Sequence, residues 1–418
     1  MAQLTDDCFA FDGPLLPVDD LEALIRERID PVADTEPVAV ARALGRVVAR
    51  DIPAPIDLPP FDNSAVDGYA VRHADLAPDA ETRLRVADRV AAGHSAGRPV
   101  AAGEAVRIFT GAPMPAAADT VFMQEDCRVE NGCVIVPPGL NKGANCRLAG
   151  EDIRANTVAL PQGRVIDPQH MALAAAIGLA EIDVRRRVRV ALFSTGDEIV
   201  EPGSSREGPR LFDANRSLLA GLFERAGAAV TDLGIVADDR KRIAQELLAA
   251  AAGHDLIVTS GGVSTGEADH VRNAIETVGR LVFWRVAIKP GRPVAMGVVR
   301  GAAFVGLPGN PVAAFVTFAR VVRPLLRRLA GAEPRALVAL PVRAAFAYRK
   351  KAGRREYVRA ALRRAADGQI EALKYEREGA GVITSLTETD GVVELFENAT
   401  AVEPGATVAF IPYPVLLG

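Results

Sequence analysis

From Val188 to Leu329 the chain alternates strand-like and helix-like segments, which restricts this stretch to a mostly parallel sheet covered on both faces. Val188 to Phe193 is an apolar-rich run that ends in Ser194-Thr-Gly-Asp-Glu198. Asn215 to Ala226 predicts a helix, because Leu218, Leu219, Leu222 and Phe223 recur on one face before Gly227 stops it. Val230 to Val236 reads as a second strand ending at Asp238-Asp239, Arg240 to Ala252 as an alanine-rich helix, and Leu256 to Thr259 as a third strand. A helix from about Asp269 to Val278, an extended piece from Leu281 to Ile288, two short strands (Val294 to Val299, Ala303 to Leu307) and a long helix from Val312 to Leu329 complete the pattern.

The flanking regions differ in texture. Residues 54–150 are rich in Pro, Gly and short β-branched runs, and residues 332–418 carry further short strands between turn residues, so each predicts a β-rich domain. The expected architecture is multidomain α/β plus β. It has a doubly wound α/β domain at 185–330, an inserted β-rich domain at 54–150 and a C-terminal β domain at 331–418. A discontinuous linking domain, built from 15–53 and 151–184, joins them. A length of 418 residues agrees with several cores rather than one. The arginine runs at 185–187 and 349–355 read as solvated surface.

A net charge of −4 and a pI near 5.9 argue against bulk nucleic-acid or anionic-membrane binding. No apolar run approaches the roughly 20 residues of a membrane span, and no secretory signal is visible at Met1-Ala-Gln-Leu, so a cytoplasmic protein is expected. The four cysteines (Cys8, Cys127, Cys133, Cys146) lack zinc-type spacing and are read as packing residues. The five histidines form no metal-binding pair.

The chemistry therefore rests on acids, hydroxyls and glycines. In an open parallel sheet, ligands bind beyond the carboxyl ends of the strands. Four loops fall there: Ser194 to Glu198, Asp238-Asp239, Ser260 to Asp269, and Leu307-Pro-Gly-Asn-Pro311. In the third, the backbone of Gly261, Gly262 and Gly266 is free to cradle an oxyanion, with Val263 between them and Ser260, Ser264 and Thr265 as neutral donors. Glu198, Asp238 and Asp269 supply hard oxygens suited to Mg²⁺ held partly through substrate phosphates. Arg285 and Lys289 share a face if their segment is extended, and both then neutralise an oxyanion. Any one of these loops alone reads equally as a tight turn; their convergence is what points to phosphoryl-type chemistry. A second polar cluster comprises Asp62 to Ala70, Thr110 to Pro115, and Arg147 to Asp152. No nucleophilic triad order and no Walker or Rossmann fingerprint is present.

Asp62-Asn-Ser-Ala-Val-Asp-Gly-Tyr-Ala70, Thr110-Gly-Ala-Pro-Met-Pro115, Ser194-Thr-Gly-Asp-Glu198, Ser260-Gly-Gly-Val-Ser-Thr-Gly266 and Leu307-Pro-Gly-Asn-Pro311 together resemble the molybdopterin molybdenumtransferase family, which includes the C-terminal domain of gephyrin. The resemblance runs in order from about Val18 onward. It implies an elongated homodimer whose substrates are adenylylated molybdopterin and molybdate. Molybdenum is placed on the dithiolene sulfurs and AMP is released, with Mg²⁺ or a similar divalent ion assisting. It further implies a cleft between the α/β domain of one chain and the Asp67-bearing domain of its partner.

By motif, Glu198, Asp238 and Asp269 are the implied metal ligands. The implied substrate-binding residues are Ser260, Gly261, Gly262, Val263, Ser264, Thr265 and Gly266 in one loop, and Pro308, Gly309, Asn310 and Pro311 in another. Asp67, Thr110, Asp152, Glu198, Arg285 and Lys289 are the implied catalytic residues. Arg285 departs from the lysine common in relatives, and His270 from a tyrosine; Arg292 carries no assigned role. The adenylyltransferase and the recipient molybdoenzymes are the candidate protein partners; no nucleic acid and no membrane is expected. Two alternatives stand beside this reading, a non-catalytic molybdopterin-binding scaffold and an adenylyltransferase-like step. Tungstate is an equally sized alternative to molybdate.

Overall fold

The computed structural model describes residues 15–31, 34–205, 207–261, 270–291 and 293–418. Its α/β portion holds a six-stranded sheet in the order Ala229–Val236, Arg189–Thr195, Leu256–Ser260, Ala302–Leu307, Pro293–Val299, Gly279–Arg285. The first four strands run parallel, the fifth runs antiparallel to them, and the sixth, antiparallel to the fifth, shares the direction of the first four, in agreement with the mostly parallel sheet expected. The unbroken apolar runs are explained by burial on both faces. Val190, Leu192, Val258 and Val305 face one core, with the helices Ala214–Arg225 and Val18–Arg28. Ala191, Phe193, Ile257 and Phe304 alternate to the other, with Arg240–Gly253 and His270–Val278.

Three expectations change. The extended piece from Leu281 to Ile288 is two strands rather than one. Gly279–Arg285 closes the α/β sheet, whereas Ile288–Lys289 pairs in parallel with Arg355–Glu356 of the C-terminal sheet. Between them the chain dives inward, with Val286, Ala287 and Ile288 all buried and Ala287 N–H bonded to Leu16 O. Arg285 and Lys289 therefore belong to different sheets, and period-two spacing does not govern their relation. The long helix is Pro311–Thr317, a π-helical segment Phe318–Val322, and Arg323–Leu329. Pro324 cannot donate to Arg320 O and its ring crowds that carbonyl, so the wider turn relieves the clash. The basic runs are not wholly solvated. Arg355 is buried and forks onto the Asp19 carboxylate at 2.7 and 2.7 Å, with Glu397 at 3.0 Å; Arg186 binds buried Asp255 at 3.0 and 3.1 Å.

The region between the linking strands forms its own six-stranded sheet, Thr120–Met123, Gly68–Val71, Glu104–Ile108, Thr82–Val90, Cys133–Val136, Arg128–Glu130. Either side of it, Thr35–Ala39 pairs with Glu181–Arg185 and Ile52–Pro53 with Val158–Leu160. Near the C-terminus, Arg355–Arg364, Ile370–Lys374, Leu340–Ala344, Thr407–Pro412 and Gly391–Leu395 pair in a closed circuit around Ala344, Ala360, Val393 and Phe410.

Candidate active site

The strand ends of the α/β sheet lie in register, Ser194 beside Ser260 and Ser260 beside Leu307. Gly261 N–H then bonds to Leu307 O at 3.1 Å. Gly261 sits at φ 89°, and a Cβ there would approach Thr195 O to 2.7 Å, so only glycine permits the three strand ends to meet this closely. Asn215 ties the edge together: its Nδ2 donates to Ser260 Oγ and to Gly309 O, both at 2.8 Å. The sequence reading missed this residue, although its place at the start of a helix facing the loops is the signal that would have found it.

The Pro308–Pro311 turn, expected as a substrate loop, reaches this edge through Gly309, and the structure gives Asn310 a second task. Asn310 is the N-cap of the helix Pro311–Thr317, and its carbonyl accepts the Ala314 N–H at 2.9 Å. Asparagine at an N-cap commonly turns its side-chain oxygen onto the first helical N–H groups, yet here the side chain makes no capping bond. Asn310 is exposed, and an added Cβ on Gly381 of the C-terminal barrel would stand 3.6 Å from its Oδ1. Its amide therefore points away from its own helix. Pro311 occupies the first helical position, where a missing N–H costs nothing.

Two expected carboxylates stand on this edge. Glu198 is exposed and folds back across Gly196, where an added Cβ would lie 2.7 Å from its Oε2. Asp238 follows the neighbouring strand and accepts a long hydrogen bond from Thr195 Oγ1 at 3.4 Å. Asp269, the third expected ligand, lies outside the described residues, as do Gly262, Val263, Ser264, Thr265, Gly266 and Arg292. Among the described residues no group of three His, Cys, Asp or Glu side chains gathers as for a metal ion. The donor set of Glu198 and Asp238, hard anionic oxygens with little engagement by the protein, nevertheless fits a magnesium-type ion that completes its shell with water and phosphate.

Lys289 borders a cavity of about 220 Å³ between the α/β portion and the C-terminal barrel. Its Nζ lies 3.1 Å from Glu356 Oε2, which also accepts from Tyr348 Oη at 2.9 Å. Burial alone would lower the Lys289 pKa; the hydrogen bond to Glu356 and the charge around it outweigh that and hold it above the usual lysine value. Glu356 is itself buried, whereas the Lys289 side chain remains exposed to solvent. Arg359 and Lys374 line the same cavity, Arg359 held by Ser385 Oγ and Gly379 O at 3.0 and 3.1 Å. Burial lowers the Arg359 pKa from its ordinary value. These barrel residues were not singled out in the sequence, because nothing local to them shows that they meet Lys289. The cavity adjoins the Pro308–Pro311 turn: Val312 N–H bonds to Ala380 O at 2.9 Å, and Ala380 lines the cavity.

In the inserted sheet, Asp67 Oδ1 accepts both the backbone N–H and the hydroxyl of Thr110, each at 2.8 Å. These two bonds, the backbone one foremost, hold the Asp67 carboxyl below its ordinary value. Gly68 follows because a Cβ there would lie 1.8 Å from Phe122 O. Arg107 stacks over Tyr69 and Phe109, at 5.0 Å from each ring centroid, beside this pair. Asp152 is exposed on the loop whose backbone N–H reaches Leu58 O at 3.0 Å. The structure thus joins Asp67 to Thr110 and gives Asp152 a separate loop.

Comparison with known proteins extends the match over nearly the whole chain. Residues 16–178 match the MoeA N-terminal region (domain I and II), 191–328 a probable molybdopterin binding domain, and 341–413 the MoeA C-terminal region (domain IV). A molybdopterin molybdenumtransferase of Haemophilus influenzae is 36% identical over 97% of this chain and 100% of its own length. The chain belongs to the molybdopterin molybdenumtransferase family. A relative of the same description from a Nostoc species is 33% identical over 93% of this chain and 91% of its own length. The fold of a molybdopterin biosynthesis protein from Pyrococcus horikoshii superposes with a TM-score of 0.81 at 28% identity, covering 96% of this chain and 100% of that one.

Cys127 and Cys146 each pack against an apolar core of the inserted sheet. Burial pushes Cys127 and Cys146 up to about 11, which keeps both protonated and unreactive near neutral pH. No helix among the described residues is long and apolar enough to cross a membrane.

Proposed function

We propose that this chain is a molybdopterin molybdenumtransferase that takes adenylylated molybdopterin and molybdate, places molybdenum on the dithiolene sulfurs and releases AMP. The observation that carries this reading is the contiguity of a glycine-lined strand-end edge, clamped by Asn215, with the cation-lined cavity at Lys289. The Gly262 to Gly266 stretch that continues this edge cradles the phosphates through backbone donors, with the Ser260 hydroxyl beside it, while Gly261, its N–H held by Leu307 O, fixes where the loop starts. The Pro308–Pro311 turn adds the N–H groups of Gly309 and Asn310 and the uncommitted Asn310 amide. Lys289, with Arg359 and Lys374, receives the tetrahedral molybdate, and Glu356 keeps the Lys289 ammonium charged and aimed. Arg285 adds a further cation. Glu198, Asp238 and Asp269 are the residues that would hold Mg²⁺, whose charge offsets that of the pyrophosphate.

Asp67, Thr110 and Asp152 complete the cleft from the partner chain of a homodimer. Support for this comes from the lobe that carries Asp67 and Thr110, with Asp152 at its base: its two apolar cores draw only on residues between Val66 and Cys146, so it stands as a self-supporting arm able to reach a second chain. The chain then divides into four units, the linking segments 15–53 and 151–184, the arm 54–150, the α/β unit 185–330 and the barrel 331–418. The adenylyltransferase would supply the substrate and molybdoenzymes receive the product.

The deciding experiment measures AMP release from adenylylated molybdopterin, with and without molybdate and Mg²⁺. Release that needs both is expected. Tight binding without release would replace the transferase reading with a carrier or scaffold.

A further inference from the structure

A second cation-lined cavity lies away from the site just described and shares no lining residue with it. It occupies about 130 Å³ between the helix Val18–Arg28 and the end of the helix Arg323–Leu329 with the turn that follows. Five arginines line it against one acid, Glu22. Two of the arginines are engaged by the backbone: Arg328 Nε donates to Ile29 O at 2.5 Å, and Arg327 Nη2 to Glu333 O at 2.6 Å. Arg323 is different. It is only 6% exposed, and no hydrogen bond or ion pair to it is found among the described residues. An arginine that served only to cover apolar surface with its stem would carry its guanidinium out to water; this one is buried over nearly its whole surface, with Gly418 against the guanidinium and only slight contact of its nitrogens with solvent.

A buried, unpaired guanidinium is costly, and the usual resolution is a counter-ion. Burial, reinforced by the like charges of Arg327, Arg320 and Arg335 and opposed by Glu22, lowers the Arg323 pKa to about 10. The cavity is roomy enough to admit a small tetrahedral ion. Its floor of Ile25, Pro324 and Ala332 is apolar, so the forked donors are the recognition elements.

We propose that this cavity is a binding site for a tetrahedral oxyanion of the phosphate class, centred on Arg323. The site goes beyond the transferase reading and does not depend on it. The anion arrives either free or as the phosphoryl group of a larger molecule.

The test uses the full chain and follows thermal unfolding and calorimetric binding with inorganic phosphate against chloride at equal ionic strength, with AMP as a parallel arm. Phosphate is expected to raise the unfolding temperature where chloride does not. Arg323→Met should weaken phosphate binding at least about tenfold and raise the unfolding temperature in chloride, because it removes the uncompensated charge. Glu22→Gln should tighten phosphate binding several-fold, and Arg327→Gln should weaken it if Arg323→Met does not fold. Stabilisation by both AMP and phosphate that is lost in Arg323→Met assigns the site to phosphoryl groups; an Arg323-dependent stabilisation by phosphate alone assigns it to the free ion. No phosphate-specific stabilisation, or one that survives Arg323→Met and vanishes in Lys289→Met, overturns the proposal. AMP release by Arg323→Met should stay at the unsubstituted level, so failure here leaves the transferase reading untouched.

Discussion

Asp67 takes two hydrogen bonds from a single residue, and this controls its titration. Its folded pKa lies below the unfolded value, so whatever it contributes to the inserted arm is present above the ordinary carboxylate range and disappears as pH falls through the lowered value. Thr110→Val deletes the hydroxyl bond and keeps the backbone one. Carboxyl NMR should show the Asp67 pKa moving part of the way back to normal, and acid loss of the arm should begin at higher pH. An unmoved Asp67 resonance would show that the backbone N–H alone sets the value. Glu356 acts through Lys289 in an analogous way, with opposite sign. The raised Lys289 pKa stabilises below the ordinary lysine value and is lost as pH rises through the folded one. Glu356→Gln keeps the shape but removes the charge. We expect KM for molybdate to rise about tenfold, the loss of one charged hydrogen bond, while kcat changes far less; an equal fall in kcat would place Glu356 in the chemical step instead.

At the scale of elements, Asn215 couples a helix start to two loops. Asn215→Ala strips Ser260 Oγ and Gly309 O of a donor in a buried setting, which costs ~1–3 kcal/mol. The unfolding temperature should fall and AMP release should drop by about tenfold or more, since a loop misplaced by a fraction of its contact distance loses orientation; turnover at the unsubstituted level with a lowered unfolding temperature would confine Asn215 to stability. The elements around it were legible in the sequence because both faces of the sheet are covered, which makes stretches such as Leu256 to Val258 wholly apolar. The loops at their ends were legible because glycine and acids cluster there. What stayed hidden depends on pairings between distant segments. Ile288–Lys289 leaves one sheet for another because Arg355–Glu356 offers it a partner. Asn310 reads as one member of a turn until the barrel segment at Gly381 is seen beside its amide. Arg355 looks like one more surface cation until Asp19, more than three hundred residues earlier, is seen to meet it. The cavity cations Arg359 and Lys374 are likewise anonymous until the barrel closes.

For the whole molecule, the proposed cleft requires the acids of the inserted arm and those of the α/β edge to meet at one substrate. The arm owns its cores, and its connection to the rest runs through the short pairing of Ile52–Pro53 with Val158–Leu160. An arm built this way is positioned by what it docks against, and the proposed homodimer supplies that surface. A shared cleft makes a prediction that a self-contained one does not. Chains carrying Asp67→Ala and chains carrying Glu198→Gln should each be nearly inactive alone. Mixed and allowed to exchange, they form a heterodimer with one cleft carrying both substitutions and one carrying neither. AMP release should then return to about half the unsubstituted rate per heterodimer, and to about a quarter per total chain if the chains assort at random. Sedimentation of the mixture fixes the heterodimer fraction, so the rate can be compared with the number of intact clefts. If heterodimers form and no activity returns, each cleft is built within one chain, and Asp67 must reach Glu198 by closure of the arm onto its own α/β edge.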